Sequence, residues 1–434
     1  MFSAGTAFNS KSLIISTLTE FFYQLFINVF QGIMHVGAWF NPKLKLGVEG
    51  RQGLLQKLQS SFESLSNGRP VAWFHAASLG EFEQGRPVIE AFRAAFPNHF
   101  IVLTFFSPSG YEIRKNYGGA DYICYLPIDT QSNARRFVHI IKPQIVFFIK
   151  YEFWFNYLRE LKKSGAVILS FSTIFRPDQV FFKSYGGFYR QMLTYFDHLF
   201  VQNQESLDLL KNAGIFQCSL AGDTRFDRVK TIADSVRDLP IIAQFVGTCP
   251  CLVAGSVWET DMEVLIPAIN TLVKPIKVII APHEIKRDEI AGWREKLSGT
   301  SVLYSEYEKN AEKQSFDILI IDNIGMLSSL YRYGSMAYIG GAFGSGLHNI
   351  LEAATFGLPI IFGNKSYSKF QEAKDLIAEG GAIAVADSNE ISQLLADWRV
   401  DSQARERGEV NKKYVASKTG ASNKVIKQAK ALLK

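Results

Sequence analysis

The repeated alternation of short apolar runs and amphipathic stretches is the feature that most constrains the fold of this chain. The runs are rich in Val, Ile and Phe, and they are apolar on both faces. Such runs are typical of parallel strands that helices cover on both sides of a sheet. They lie at residues 70–76, 99–106, 121–127, 143–150, 166–172 and 198–203, and the stretch 219–227 ends this series. After a charged stretch at about 228–244 the pattern restarts at 250–256, 276–283, 317–322, 336–342, 358–364 and 381–387.

The single interruption of this pattern predicts two domains. The chain has 434 residues, of which 47% are hydrophobic, and this is enough for two separate cores. We therefore expect an α/β fold with two Rossmann-like domains facing a central cleft. The expected segments are an N-terminal anchor helix with its basic flank (1–48), a first Rossmann-like domain (49–228), a linker (229–247), a second Rossmann-like domain (248–415) and a basic C-terminal helix (416–434).

The N-terminal stretch, residues 13–40, is strongly apolar and carries one formal charge, that of Glu20. Its polar residues recur at steps of three or four and therefore share one face of a helix. Such a helix lies in a membrane interface or, alternatively, packs against the protein. The basic residues Lys43, Lys45 and Arg51 follow it, which favours a body on the cytoplasmic side. The polar residues of the stripe are Glu20, Gln24, Asn28, Gln31 and His35.

Charge and cysteine content restrict the possible partners. The formal net charge is +6, which suits an anionic substrate or a membrane surface. The chain lacks the concentrated basic tract of a nucleic-acid binder. Its four cysteines have neither disulfide-framework nor zinc-site spacing, so we expect a reducing compartment.

Loops that follow strands are the candidate sites, because ligands bind beyond the carboxyl ends of parallel strands. The glycine-rich stretch after residues 336–339 includes Gly344 and Gly346, which would let an anion approach the main chain. Glu352 follows and could accept hydrogen bonds from ribose hydroxyls. The competing interpretation is a tight turn followed by a solvated carboxylate. We favour binding of a nucleotide phosphate.

Further candidates lie at other strand ends in both halves. Gly255 and Ser256 could contact a donor phosphate or sugar, although the acids that follow them are also explained by a helix dipole. Glu152 stands among aromatic residues, where a carboxylate is costly unless it is paired or wet. Ser107 and Ser109 could cradle an anion or only form a turn. Arg176 and Arg225 also fall at strand ends.

The stretch VAWFHAASLGEFE, residues 71–83, places two acids just beyond an apolar run. Either Glu81 and Glu83 open a helix, or one of them takes part in chemistry. Ser78 and Gly80 lie in the same turn.

With these loops in view, the chain resembles the 3-deoxy-D-manno-octulosonic acid (Kdo) transferases, which are glycosyltransferases of the GT-B architecture. The likeness extends over nearly the whole chain, including the N-terminal helix. The stretches that carry it are HAASLGE, SPSGYE, YLPIDT, EFWFN, AGDTRFD, AGSVWE and GGAFGSGLHNILEAATFGLP.

The resemblance implies a reaction and a set of site residues. Kdo would pass from CMP-Kdo to the lipid A precursor with inversion, without a metal or other cofactor, and Glu81 would act as general base. The CMP contacts would come from Pro282 and His283, from Gly325, Met326 and Leu327, and from Asn349, Ile350, Leu351 and Glu352. His283, Leu327 and Phe155 depart from the usual family residues, which are Arg, an acid and Pro.

The resemblance also implies partners and a location. We expect a monomer on the cell inner membrane with a cytoplasmic catalytic body, no nucleic-acid partner, and a substrate site that includes Ser78, Gly80, Ser107, Ser109, Glu152, Arg176 and Arg225. Two alternatives remain: another GT-B lipid glycosyltransferase or a nucleotide-sugar epimerase, and a non-catalytic membrane scaffold that binds a sugar nucleotide.

Overall fold

The computed structural model describes residues 4–272, 275–310, 315–398 and 402–434, with the side chains of all of these except residues 4–17 and 310. The chain divides into two compact units. The first unit comprises Met1–Arg228 and Gly420–Lys434, and the second comprises Val229–Thr419. Each unit is built on a parallel sheet with helices, so the expected class of two Rossmann-like α/β domains is confirmed. The segment boundaries drawn from the sequence remain predictions.

The strands of the first unit are β1 (Val71–Ala76), β2 (Phe100–Phe105), β3 (Tyr122–Tyr125), β4 (Pro143–Ile149), β5 (Val167–Thr173), β6 (His198–Val201) and β7 (Cys218–Leu220). Its helices are α1 (Ala4–Gly37), α2 (Pro42–Glu49), α3 (Leu54–Ser66), α4 (Leu79–Ala95), α5 (Pro108–Arg114), α6 (Gln131–Ile141), α7 (Phe155–Ser164), α8 (Gly187–Thr194), α9 (Gln204–Asn212), α10 (Thr224–Asp234), which continues into the second unit, and the last helix of the chain, α20 (Ala421–Leu432); a 3-10 turn covers Val180–Phe182.

The strand order of the first sheet creates a switch point. The strands pair in parallel in the order β3-β2-β1-β4-β5-β6-β7. The chain moves outward from β1 to β3 and then returns to lie beside β1 as β4. The connections after β1 and β4 therefore leave on opposite faces and open a crevice at their carboxyl ends.

The second unit contains the strands β8 (Cys251–Val257), β9 (Lys277–Pro282), β10 (Ser301–Leu303), β11 (Ile318–Ile320), β12 (Met336–Ile339), β13 (Ile360–Gly363) and β14 (Ala382–Val385). Its helices are α11 (Pro240–Val246), α12 (Glu259–Asn270), α13 (Arg287–Lys296), α14 (Tyr304–Asn310), α15 (Leu327–Leu330), α16 (Leu351–Thr355), α17 (Gln371–Ala378), α18 (Ser388–Trp398) and α19 (Ser402–Ser417), with a 3-10 turn at Tyr331–Tyr333.

The second sheet repeats the topology of the first. Its order is β10-β11-β9-β8-β12-β13-β14, again with parallel pairs, so β8 and β12 border its switch point. The sequence pattern missed β10, because a strand of three residues shows no recognisable run. The helix α16 begins only at Leu351, several residues after the last glycine of the glycine-rich loop.

The C-terminal helix α20 returns to the first unit. Val425 and Ala429 are buried in the apolar cluster that covers one face of the first sheet. Asp227 fixes the start of the helix, because its carboxylate accepts the main-chain N–H groups of Gly420 at 2.5 Å and Ser422 at 2.7 Å. This acid therefore has a structural task.

The polar side of α1 faces the body of the first unit. Gln24 donates a hydrogen bond of 2.6 Å to Asn156, Tyr23 donates one of 2.6 Å to Asp129, and Glu20 pairs with Arg159. The apolar side is not covered by any described residue. Its large exposed side chains are Leu18, Phe21, Phe22, Leu25, Phe26, Val29, Ile33 and Val36, and Trp39 and Phe40 follow the helix. Among the residues whose structure is described, no helix has both the length and the apolarity needed to cross a bilayer.

Candidate active site

Glu81 stands at the carboxyl end of β1, at the switch point of the first sheet. The strand ends at Ala76, and Ser78 caps α4 in an extended conformation. Glu81 completes a capping box: its Oε2 accepts the main-chain N–H groups of Ala77 at 2.6 Å and Ser78 at 3.2 Å. The helix-opening interpretation is therefore correct for Glu81, but the cap uses only one of its two carboxyl oxygens.

The cap occupies one carboxyl oxygen of Glu81 and leaves Oε1 without a hydrogen-bond partner in the described part of the chain. The pKa of this carboxyl is raised, first by burial and then by the negative charge of Glu152, against the opposing effect of the Ala77 hydrogen bond. A half-buried carboxyl with one fixed and one open oxygen and with increased proton affinity suits a general base.

Glu152 follows β4, the neighbour of β1 across the switch point. Its side chain is buried, and its Oε2 accepts hydrogen bonds from His75 Nε2 at 3.0 Å and Trp154 Nε1 at 2.6 Å. His75 lies on β1 and is held at its other ring nitrogen by the Thr104 hydroxyl, 2.8 Å away. Glu152 is thus paired, and its negative charge lies close enough to Glu81 to raise the pKa of that carboxyl. Its role in the substrate site remains a prediction.

Lys150 adds a residue that the sequence reading missed. It follows β4 directly and adopts a left-handed main-chain conformation, with φ of 65°. A non-glycine residue held in this region stores strain, which is common at functional sites. Its charge lowers the pKa of Glu81, so it lies within electrostatic range of that carboxyl. A lysine at the end of a buried apolar run was the signal that could have found it.

The loop after β2 lies beside the Glu81 turn. Ser107 donates its main-chain N–H to the carbonyl of Ala77 at 2.7 Å and caps α5, and its hydroxyl lies 3.0 Å from that of Ser109. A side chain at Gly110 would reach to 3.1 Å from the Ser78 carbonyl carbon, whereas Gly80 borders open space. Ser78, Gly80, Ser107 and Ser109 are thus brought together around Glu81.

The two predicted arginines differ in their surroundings. Arg225 forms an ion pair of 2.7 Å with the buried Asp223. The neighbouring Thr224 hydroxyl donates to the carbonyl of Gln84 on α4, at 2.5 Å, so this loop is attached to the helix that carries Glu81. Arg176 is exposed, and its main-chain N–H donates to Gln179.

Glu83, the second acid of the opening stretch, is occupied by two arginines. Its carboxylate lies 2.7 Å from Arg114 and 3.4 Å from Arg228. The structural interpretation therefore holds for Glu83, and the pair Glu81 and Glu83 offers a matched comparison.

In the second unit, several predicted residues line one pocket of about 450 Å³ at the carboxyl ends of β8 and β9. Ser256, like Lys150 in the first unit, has a left-handed main chain, with φ of 53°. Ser256, Pro282, His283, Gly325, Met326 and Leu327 all belong to the lining. Three stretches that are distant in sequence are thereby gathered at one site.

The glycine-rich loop passes very close to this pocket. A side chain at Gly340 would approach the Ser256 carbonyl oxygen to 2.2 Å, and one at Gly255 would approach the Tyr331 hydroxyl to 2.1 Å. The buried Asp261 fixes the loop, because its Oδ2 accepts the main-chain N–H of Gly341 at 2.8 Å. These glycines are required by close main-chain packing. Gly344 and Gly346 lie farther along the same loop.

Glu352 connects the glycine-rich loop to α15. Its two oxygens accept hydrogen bonds from Ser328 at 2.6 Å and Asn349 at 2.9 Å. Ser328 directly follows Leu327 of the pocket. Ile350 and Leu351 bury their side chains, so a ligand could meet only their main chain.

His283, which lines this pocket, packs together with two other aromatic rings. The rings of His283 and His348 stack at 4.3 Å, and Trp258 packs on His283, also at 4.3 Å. Trp258 Nε1 donates to His348 Nε2 at 2.9 Å, so this nitrogen carries no proton. Burial and the adjacent His283 lower the pKa of His348 to about 4. Trp258 and His348 were missed because their partners lie in other loops.

No group of three or more His, Cys, Asp or Glu side chains that could hold a metal ion occurs within the described ranges. The absence of a metal requirement remains a prediction.

Comparison with known proteins shows which family the chain resembles. A family model described as 3-deoxy-D-manno-octulosonic-acid transferase (kdotransferase) matches residues 48–228. The 3-deoxy-D-manno-octulosonic acid transferase of Chlamydophila psittaci is 28% identical over 74% of this chain and 75% of its own length. That of Aquifex aeolicus is 26% identical over 79% of this chain and 92% of its own length. These relatives confirm the resemblance to the Kdo transferases that the sequence motifs indicate.

Solved structures show the same GT-B fold. The UDP-GlcNAc 2-epimerase from Neisseria meningitidis covers 82% of this chain and 98% of its own, with a TM-score of 0.59 and 12% identity. MurG from Acinetobacter baumannii covers 83% and 98%, with a TM-score of 0.52 and 12% identity. The fold by itself does not separate an epimerase from a transferase, but the similarity in sequence to Kdo transferases does. The chain is a glycosyltransferase that transfers Kdo in lipopolysaccharide synthesis.

Proposed function

We propose that this Kdo transferase moves Kdo from CMP-Kdo to the lipid A precursor, lipid IVA, with Glu81 as the general base. A hydroxyl oxygen of the lipid attacks the anomeric carbon of Kdo. The bond from that carbon to the phosphate oxygen breaks, and CMP leaves with the bonding electrons. The hydroxyl proton passes to the open oxygen of Glu81. Attack opposite the leaving group inverts the anomeric centre.

The position and state of Glu81 carry this proposal. Its Oε2 is immobilised by two main-chain N–H groups, so Oε1 points in a fixed direction. Burial and Glu152 raise its pKa, so the carboxylate holds a proton more readily than an ordinary glutamate. These properties suit a group that must accept a proton in the transition state.

The pocket of the second unit supports the assignment of a nucleotide donor. Its lining supplies a hydroxyl at Ser256, an imidazole at His283 and exposed main chain at Gly325. Donors of this kind can stabilise the negative charge that develops on a departing phosphate. Glu352 suits the ribose hydroxyls because Ser328 and Asn349 hold its carboxylate in place, and each oxygen keeps a second lone pair for a further hydrogen bond.

The outward face of α1 supports a membrane location. Phe21, Phe26 and Ile33 are each 62% exposed, although water is an unfavourable environment for such side chains. With the polar side of the helix docked on the body, the apolar side suits the interface of the inner membrane on its cytoplasmic side.

Replacement of Glu81 by Gln tests the chemistry. The amide oxygen can still accept the two capping N–H groups, so the fold should persist. We expect the transfer rate from CMP-Kdo to lipid IVA, followed by mass spectrometry, to fall by about 10²–10⁴-fold. Glu83→Gln is the matched control and should retain most of the activity. CMP affinity should change little in both variants.

Three results would count against parts of the proposal. Near wild-type activity in Glu81→Gln would exclude this residue as the base. Loss of CMP binding in the same variant would indicate a structural defect instead. If the wild-type protein yields no Kdo-bearing lipid IVA, the proposed acceptor is wrong. If it does, the mass of the product shows how many Kdo residues were added.

A further inference from the structure

The first unit contains a pocket whose lining residues have no role in the proposed transfer reaction. Its volume is about 250 Å³, and it lies between the last turns of α1 and helices α3 and α6. Arg51 and Arg136 line it together with polar side chains that include His35, Gln52 and Asn133. None of the described residues that line it is acidic.

Arg51 is held in an unusually rigid way for an arginine near a surface. Its Nε donates to the carbonyl of Leu126 at 2.7 Å, and its two terminal nitrogens donate to the carbonyls of Gly47 at 2.7 Å and Phe106 at 2.6 Å. Its guanidinium carbon lies 4.9 Å from the ring centres of both Phe106 and Tyr125. Because a guanidinium has five N–H donors, two remain after these three bonds.

The positive charge of Arg51 has no anionic partner among the described residues. Burial lowers its pKa to about 10, which still leaves the group charged at neutral pH. Even a partly buried charge that is hydrogen-bonded but not neutralised is costly. Arg136 brings a second positive charge to the same pocket. An anion in the pocket would offset the cost of the Arg51 charge and would face both cations.

The position of the pocket indicates where such an anion would come from. Gln31, Met34 and His35 of α1 form one of its walls. On the same segment, Ile33 and Val36 project an apolar surface outward. Trp39 and Phe40, 81% and 82% exposed, follow immediately. A phosphate held by the arginines would therefore have apolar surface beside it for attached acyl chains.

We propose that this pocket binds the phosphate group of an anionic glycerophospholipid and thereby seats the protein on the membrane at a fixed position. Arg51 supplies a preorganised pair of N–H donors, and Arg136 supplies the mobile second cation. The site is separate from the proposed base and donor pocket. Its test needs neither CMP-Kdo nor lipid IVA, so it can fail or succeed independently of the proposed function.

The variants Arg136→Gln and Arg135→Gln form a matched test. Both arginines are exposed on α6 and each substitution removes one positive charge, but only Arg136 lines the pocket. Binding of the full chain is measured by flotation with phosphatidylcholine vesicles, with and without phosphatidylglycerol. We expect Arg136→Gln to weaken binding to the phosphatidylglycerol vesicles about tenfold, equivalent to ~1.4 kcal/mol. Arg135→Gln should change it less than about threefold.

Two outcomes would overturn the proposal. Equal losses in both variants would mean that attraction to the membrane is a property of the overall charge. No loss in either variant would mean that this pocket does not contribute to membrane binding. Calorimetry with inorganic phosphate distinguishes the source of the anion. If Arg136→Gln loses phosphate binding but keeps wild-type vesicle binding, the pocket holds a free anion and the lipid assignment is wrong.

Discussion

Replacement of Asp261 by Asn and by Ala separates the hydrogen-bonding role of this buried acid from its charge. Its Oδ2 accepts the main-chain N–H groups of Trp258 at 2.9 Å and Gly341 at 2.8 Å. Its Oδ1 accepts the hydroxyl of Tyr338 at 2.9 Å. The side chain is fully buried, and burial raises its pKa despite these three bonds. It therefore joins β8, β12 and the glycine-rich loop at the switch point of the second sheet.

The two substitutions differ in how many of these bonds they remove. In Asp261→Ala, two buried amides and one buried hydroxyl lose their acceptor, at about 1–3 kcal/mol for each group. Release of a carboxyl that is costly to bury offsets part of this, so we expect a loss of about 3–5 kcal/mol. In Asp261→Asn, the amide oxygen can accept both N–H groups while the NH₂ faces Tyr338. We expect about 1–2 kcal/mol for the lost charge assistance.

Urea unfolding measures the stability of each variant, and calorimetry with CMP measures the effect on the donor site. Asp261→Asn should bind CMP nearly as well as the wild-type protein, whereas Asp261→Ala should lose about tenfold in affinity because the loop is no longer fixed. Glu263→Ala is the control, since Glu263 is exposed on the same helix and should change stability by less than about 0.5 kcal/mol. Equal destabilisation by Asn and Ala would refute the reasoning.

Two further predictions concern pH and main-chain packing. Activity should fall at acidic pH as Glu81 becomes protonated, at a higher pH than for an ordinary carboxyl, because its pKa is raised. Glu152→Gln removes a charge that raises this pKa, so the acidic limb of the pH–rate profile should move to lower pH. Glu90→Gln, a substitution on the helix that carries Glu81, should leave the limb in place. An unmoved limb in Glu152→Gln would contradict the electrostatic coupling. Gly340→Ala forces a methyl group to 2.2 Å from the Ser256 carbonyl oxygen and should cost ~3 kcal/mol in urea unfolding. Gly344→Ala meets only the Thr260 hydroxyl, at 3.2 Å, and should cost less than ~1 kcal/mol, so equal costs would contradict the steric argument.

Much of the fold could be predicted because each strand carries its own signal. A buried parallel strand must be apolar on both faces, so a run such as residues 143–150 is recognisable without its neighbours. The same runs also locate the strand ends, and hence Glu81 and Ser256. The signal failed for β10, whose three residues are too few to show it.

The chemical environment of the candidate site could be predicted only in part. A glutamate after an apolar run is common at helix starts, and Glu81 and Glu83 are alike in this respect. Their difference arises from residues that other segments bring: Glu152 raises the pKa of Glu81, whereas Arg114 and Arg228 pair with Glu83. The strained main chain of Lys150 likewise depends on packing between β4 and β5.

The sequence by itself determined all strands but β10, their division into two halves and the loops in which chemistry is possible, because these depend on local periodicity and on where apolar runs end. Tertiary structure alone decided that the apolar side of α1 faces outward, that α20 returns to the first unit and that Arg51 is held by three carbonyls. Each of these depends on contacts between residues far apart in the chain, which no local pattern encodes.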